Sequence, residues 1–161
     1  MKPNVIRPIA ICIFYHDGRI LAAAGHDPLN NQTFYRPLGG AIEFGESSTA
    51  TIEREIAEEL GAAVTDLRYL GTVENIFTYN GQTGHEIVMV YDGAFADRSL
   101  YVRPEIAGVE DDGLGFRAVW VSLADCANPA APPVYPTGLL ELLADQQLEK
   151  RMATDLYGEN G

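Results

Sequence analysis

The residues that most constrain the fold form an acidic stretch from position 46 to position 60, which contains neither glycine nor proline. Ser47 and Ser48 offer side-chain oxygens that can cap the N-terminus of a helix. Gly61 suits the left-handed conformation that often follows the last helical residue. The sequence therefore predicts a helix from about Ser48 to Leu60, which ends at Gly61.

Three carboxylates share one face of this predicted helix. Positions i, i+3 and i+4 lie side by side, so Glu55, Glu58 and Glu59 project in the same direction. Ile56 and Leu60 project to another side and are expected to face the core. Grouped carboxylates repel one another and are typical ligands of Mg²⁺ or Mn²⁺. A solvated acidic face is the alternative, which these three residues alone leave open.

The residues around the helix decide between these alternatives. From Gly40 to Ala62 the chain reads GAIEFGESSTATIEREIAEELGA. This stretch fits the pattern GX5EX7REUXEEXGU, in which U is a bulky apolar residue, at every fixed position, and Ala62 occupies the last U. The pattern is the Nudix box, and the chain resembles the Nudix hydrolases. The matching residues are Gly40, Glu46, Arg54, Glu55, Ile56, Glu58, Glu59 and Gly61.

The resemblance implies an α/β fold, namely a Nudix-type α/β/α sandwich around a mixed sheet. It would form one domain over residues 1–161, with a flexible tail from about residue 153. The implied activity is hydrolysis of the P–O–P bridge of a nucleoside diphosphate linked to another moiety, with Mg²⁺ or Mn²⁺ as cofactor. The alternative is a non-catalytic Nudix domain that binds or senses a nucleotide or an ADP-ribose derivative. Such sensors commonly lose glutamates of the box, whereas this chain keeps them.

The resemblance also implies a set of metal ligands. Glu55, Glu58 and Glu59 are expected to bind the metal ions and to act in catalysis. The carbonyl of Gly39 is expected to complete the coordination. Family members usually carry proline directly before the glycine pair, whereas this chain has Leu38 there and Pro37 one position earlier.

Acidic residues outside the box are candidates for a general base or a further ligand. The family often takes such a residue from the loop before a late strand. Glu110 is the first catalytic candidate in that loop, and Asp111, Asp112 and Glu86 are alternatives for the extra ligand. Glu55 is the other candidate for the base. A solvated acidic turn is the competing explanation for each loop residue.

Other residues of the box are expected to be structural. Glu46 is expected to pair with Arg54, which lies four residues before Glu58 and would orient it. Gly40 and Gly61 are expected to serve the backbone conformation on either side of the helix.

Three further residues are candidates for substrate binding. Arg36 precedes the glycine pair and could reach a phosphate, although a surface role is equally compatible with its position. Glu86 stands among valines on a predicted strand, an unusual place for a carboxylate. Tyr79 lies 17 residues after the box, where dinucleoside-polyphosphate hydrolases carry tyrosine. Phe77 stands where ADP-ribose pyrophosphatases carry proline, and the NADH and coenzyme A signatures are absent. His85 is expected to be structural.

Apolar and aromatic runs predict the remaining elements. Glycine-containing turns at 17–18 and 80–84 predict two hairpins. Strands are predicted at 6–15, 19–24, 64–79, 85–94 and 116–121, with loops at 27–33 and 97–115, a linker at 128–136 and a last helix at 137–152.

Charge and composition limit the possible partners. The net charge is −12, from 11 basic and 23 acidic side chains, which argues against nucleic acid as a partner. A polyphosphate would be repelled unless cations intervene. The two cysteines lack metal-ligand spacing, and the apolar run near the N-terminus is too short for a membrane span. The expected setting is cytoplasmic, with a small-molecule nucleotide as partner, no membrane, and a homodimer left open.

Overall fold

The computed structural model describes residues 4–146, which form one mixed sheet of eight strands with helices on its faces. The strands are β1 (Ile6–His16), β2 (Arg19–Asp27), β3 (Gln32–Arg36), β4 (Leu38–Ala41), β5 (Val64–Tyr79), β6 (Gln82–Phe95), β7 (Glu105–Val109) and β8 (Gly115–Ser122). The helices are α1 (Ser48–Leu60), α2 (Leu123–Cys126) and α3 (Leu139–Asp145), with a 3₁₀ turn at Arg98–Val102. None of these helices is long and apolar enough to cross a membrane.

The strand order is β5-β6-β1-β2-β8-β7, with β3 paired to β2 and β4 paired to β1. β1 and β6 run parallel, and the other strand pairs are antiparallel. Both predicted hairpins are present, but the second turn is shorter than the predicted 80–84, because β6 already begins at Gln82. Asp17 (φ 50°) and Gly18 (φ 73°) join β1 to β2, while Asn80 (φ 49°) and Gly81 (φ 76°) join β5 to β6. Two successive positive φ angles are typical of the type I′ turn, which matches the twist of a hairpin.

Alternate residues of β1 pack on opposite faces of the sheet. On one face, Ala10, Cys12 and Phe14 lie in a buried cluster with Ile52 and Ile56 of α1. On the other face, Ile9, Ile11 and Ile13 lie in a second cluster with Leu139 and Leu143 of α3. The sheet is therefore covered by a helix on each side, and the predicted α/β/α sandwich is confirmed.

The limits of α1 are those predicted from the sequence. Ser47 caps the N-terminus, because its hydroxyl accepts a hydrogen bond of 3.2 Å from the amide of Ala50. Gly61 ends the helix in the left-handed conformation, with φ 65°.

Two predicted loops contain more regular structure than expected. The prediction of a loop over 27–33 is wrong at both ends, because Asp27 closes β2 and Gln32 opens β3. The carboxylate of Asp27 accepts hydrogen bonds from the Leu29 amide (3.0 Å) and the Asn30 side chain (2.8 Å), which folds the intervening residues into a turn. The polar region at 97–115 likewise contains β7, an edge strand whose alternate residues are exposed.

The last helix starts two residues later than predicted. The amide of Thr137 donates to the side-chain oxygen of Asn75 (3.1 Å), and Gly138 adopts φ 89°, so the chain becomes helical at Leu139. The rest of that predicted helix and the predicted tail lie outside the described residues.

Candidate active site

Arg54 joins the loop before α1 to the helix itself. Its Nε donates to Oε2 of Glu46 at 2.7 Å and its Nη2 donates to Oε1 at 2.9 Å, a bidentate ion pair. The hydroxyl of Thr51 donates to the same Oε1 at 2.6 Å. The hydrogen bonds from Arg54, and next those from Thr51, lower the pKa of Glu46 to about 2. The expected contact between Glu46 and Arg54 is therefore present, and it fixes the loop against the first turns of the helix.

The same guanidinium extends to the acidic face of α1. Nη1 of Arg54 lies 2.9 Å from Oε1 of Glu55 and 3.4 Å from Oε2 of Glu58. Nη2 also donates to the carbonyl of Ala41 at 3.3 Å. Arg54 therefore sets the direction of two carboxylates while its other edge is held by Glu46.

The glycine pair is required because other atoms lie close to both backbone positions. A Cβ atom built on Gly40 would lie 2.4 Å from Cδ of Glu55, and one built on Gly39 would lie 2.0 Å from the carbonyl oxygen of Ala10. Both distances are far below normal contact. Gly39 thus allows β4 to pair closely with β1, and Gly40 leaves space for the buried carboxyl group of Glu55.

Glu55 and Glu59 are both buried, with 4% and 8% of their surfaces exposed, and they share a hydrogen bond. Burial, this hydrogen bond and the charges of Glu55, Glu110 and Asp111 raise the pKa of Glu59 to about 9. Burial also raises the pKa of Glu55, against the opposing effect of Arg54. Burial and the neighbouring carboxylates therefore disfavour the ionised forms of both groups.

The loop between β7 and β8 completes the acidic group. Glu55, Glu58 and Asp111 each contribute one carboxylate oxygen to a group of three atoms that lie within 4.8 Å of one another. We call these three residues the carboxylate cluster. Hard oxygen atoms at such spacing suit a divalent cation. Glu59 lies beside the cluster and is hydrogen-bonded to Glu55. Asp112 is not part of the cluster, and its carboxylate accepts a hydrogen bond from the Leu114 amide (2.9 Å) within the turn.

A cleft of about 760 Å³ lies near the cluster, although Glu55, Glu58 and Asp111 do not line it themselves. The three substrate-binding candidates, Arg36, Tyr79 and Glu86, all line it, and so does Glu110. Glu110 is also close enough to Glu59 to raise its pKa. The cleft and the carboxylate cluster therefore adjoin at Glu110. His85 does not line the cleft and lies 3.3 Å from the carboxylate of Glu74.

Several residues of the cleft carry no sequence signal of a role in the site. Arg7 is a single basic residue in an apolar run, and Phe34 and Tyr135 lie outside the predicted strands. Asn75 carried a usable signal, because it lies between the inward-facing positions of Val73 and Phe77 on β5. A polar side chain at such a position, here 3% exposed, indicates a specific partner.

A family model described as the NUDIX domain matches residues 6–139. The chain belongs to the Nudix family. Among curated proteins, the NAD-capped RNA hydrolase NudC of Mycobacterium tuberculosis is 32% identical over 108 residues, which are 63% of this chain and 34% of that protein. NudC of Actinobacillus succinogenes is 39% identical over 71 residues, 42% of this chain and 27% of that protein. The chain thus spans about a third or less of the length of these curated relatives.

Solved Nudix structures have the same fold. A MutT Nudix hydrolase from Burkholderia pseudomallei superposes with a TM-score of 0.61 at 26% identity, over 87% of this chain and 99% of that one. A Nudix hydrolase from Nitrosomonas europaea gives a TM-score of 0.60 at 19% identity, over 92% and 91% of the two chains, which bears on the fold alone. Together with the family match, the first structure supports a Nudix hydrolase.

Proposed function

We propose that this Nudix hydrolase is a divalent-metal-dependent enzyme that cleaves the P–O–P bridge of a nucleoside diphosphate linked to another moiety. The observation that carries the proposal is the junction at Glu110 of the carboxylate cluster and the cleft. Cavities of about 300–1,000 Å³ typically hold small organic ligands. A nucleoside in the cleft would therefore bring its phosphates toward the carboxylates.

The residues present fit a cation. Glu55, Glu58 and Asp111 supply three hard oxygen ligands, with Glu59 and the carbonyl of Gly39 as further proposed ligands. Burial and the neighbouring carboxylates raise the pKa of both Glu55 and Glu59, and a bound cation would relieve this local excess of negative charge. When bound, Mg²⁺ or Mn²⁺ would neutralise phosphate charge and lower the pKa of an attacking water.

The other proposed roles follow from position. Arg36 lines the cleft and would bind a phosphate oxygen, because guanidinium geometry suits phosphate. Glu55 or Glu110 would accept the proton of the attacking water, since both are carboxylates beside the expected phosphate position. Arg54 would position Glu55 and Glu58 through its hydrogen bonds to both.

The substrate is proposed to be a small nucleotide. Nucleoside triphosphates, sugar nucleotides and dinucleoside polyphosphates are candidates. Tyr79, which lines the cleft, stands where dinucleoside-polyphosphate hydrolases carry tyrosine and so favours the last of these classes. The similarity to NudC, an NAD-capped RNA hydrolase, adds dinucleotides with an internal pyrophosphate to the candidates. A net charge of −12 disfavours a long RNA chain as the bound species.

The test is product release from a panel of these nucleotides with Mg²⁺ and then Mn²⁺. Glu59→Gln should lower kcat on the order of 10²–10⁴-fold while the protein remains folded. Glu53→Gln is the matched control, because Glu53 is an exposed residue of the same helix and the change removes the same charge. Full activity of Glu59→Gln would contradict its assignment. Nucleotide binding without turnover across the panel would favour the sensor alternative.

A further inference from the structure

A polar network built on two buried side chains, Glu86 and Asn75, lies on the floor of the cleft. Glu86 of β6 is 2% exposed, with Oε2 at 3.5 Å from Nη1 of Arg7 and Oε1 accepting from the side-chain amide of Asn75 at 3.4 Å. The oxygen of Asn75 in turn accepts from the amide of Thr137. All four residues line the cleft. The network therefore belongs to the ligand cavity rather than to the sealed core.

The carboxylate of Glu86 retains acceptor capacity. An ionised carboxylate offers about four acceptor sites, and the two contacts from Arg7 and Asn75 are both long for hydrogen bonds of charged groups. Burying a charge is unfavourable unless partners satisfy it. A ligand that brings N–H groups to this carboxylate would supply those partners, whereas a ligand that brings a carbonyl oxygen would be repelled.

Aromatic rings form the wall of the cleft near this network. Phe34 makes edge-on contacts with Tyr79 (ring centroids 6.1 Å apart, 83° between planes) and with Tyr135 (5.7 Å, 73°). Such rings offer flat apolar surfaces that suit a planar heterocycle. The cleft thus combines surfaces for a ring with an anionic acceptor on its floor.

We infer that Glu86 is a specificity-determining residue of the cleft and that it selects bases carrying an exocyclic amine. The amine donates to the Glu86 carboxylate, in the way that acidic side chains accept from amino groups on base edges. Arg7 and Asn75 are positioning residues that hold the carboxylate toward the cleft. The inference rests on the proposed function for the placement of the nucleoside half of the substrate.

The test is calorimetric binding of two pairs of nucleoside 5′-monophosphates that differ by one exocyclic amine. The pairs are adenosine against unsubstituted purine riboside, and guanosine against inosine. In at least one pair, the wild-type protein should bind the amine-bearing member about tenfold more tightly, as expected for a hydrogen bond to a charged group. Glu86→Gln should remove most of this preference, because an amide replaces the anionic acceptor.

Glu74→Gln is the matched control, since Glu74 lies on the neighbouring strand of the same hairpin but outside the cleft, with 62% of its side chain exposed. It should keep the wild-type preference. If Glu86→Gln melts at too low a temperature for the assay, Glu86→Asp is the second variant, because it keeps the carboxylate but moves it back by one methylene. It should selectively weaken the binding of the amine-bearing nucleotide of each pair.

Equal binding of both members in both pairs by the wild-type protein would overturn the inference, and so would an unchanged preference in a folded Glu86 variant. The assay requires neither metal nor turnover. A protein that shows the expected preference but hydrolyses none of the nucleotides would therefore refute the proposed function and leave this inference supported.

Discussion

Replacing Gly40 with alanine should disable the carboxylate cluster through one added methyl group. The new Cβ would lie 2.4 Å from Cδ of Glu55 and 2.5 Å from its Oε1. The shorter distance is about 1 Å below ordinary contact, which begins at about 3.4 Å. Since Glu55 is buried and its carboxyl group is held by Arg54, either that group or strand β4 must move by about that distance.

The size of the effect follows from this displacement. Inserting a methyl group into a packed interior costs about 1–3 kcal/mol of stability. A 1 Å misplacement of a catalytic group can cost about 10²-fold in rate. We therefore expect Gly40→Ala to fold with a lower Tm, to bind Mn²⁺ more weakly, and to lose about 10²-fold in kcat.

Gly45→Ala provides the matched control in the loop that follows β4. Gly45 has φ 83° and no neighbour within 4 Å of a built Cβ, so the substitution strains the backbone without touching Glu55. Its Tm should fall, while its metal affinity and kcat should stay near the wild-type values. The measurements are thermal melts, Mn²⁺ titration and product release for all three proteins. A Gly40→Ala protein with wild-type metal affinity and kcat would refute the steric reasoning.

Two further predictions concern the residues that support the cluster. Arg54→Lys should lower kcat about 10–100-fold, because a single ammonium cannot make the bidentate pair with Glu46 and also hold Glu55. Unchanged kinetics and metal affinity would contradict this. The folded-state pKa of Glu46, about 2, lies below its ordinary value of 4.5. Its ionised form therefore stabilises the fold above about 4.5, and this contribution is lost as pH falls toward about 2. In thermal melts at pH values between about 4.5 and about 2, the Tm of Glu46→Gln should therefore fall less steeply with pH than that of the wild-type protein. Parallel plots of Tm against pH for the two proteins would count against this prediction.

The sequence predicted best those features that depend on local contacts. The limits of α1 were predicted correctly, because the caps at Ser47 and Gly61 depend only on hydrogen bonds to residues three or four positions away. Both hairpins were correct for the same reason, since Asp17-Gly18 and Asn80-Gly81 favour the turn that joins two strands. The fold class followed from the box and its flanking strands, and the structure confirms it.

Features that depend on distant contacts were less accessible. β7 was missed because an edge strand with Gly108 and alternate exposed residues resembles a polar loop. The approach of Asp111 to Glu55 and Glu58 depends on the turn after β7, where the Gly113 amide bonds back to the carbonyl of Glu110. No sequence spacing relates that turn to a helix some fifty residues earlier.

The parallel pairing of β1 with β6 has a consequence for how the molecule folds. Its register joins Ile6 to His85 and Arg7 to Glu86, residues that no hairpin turn brings together. Contacts between segments so far apart in the chain carry a large loop-closure cost and slow the folding reaction. We expect α1 to form early through its local caps. The floor of the cleft, which spans both strands, would then assemble among the last parts of the native structure.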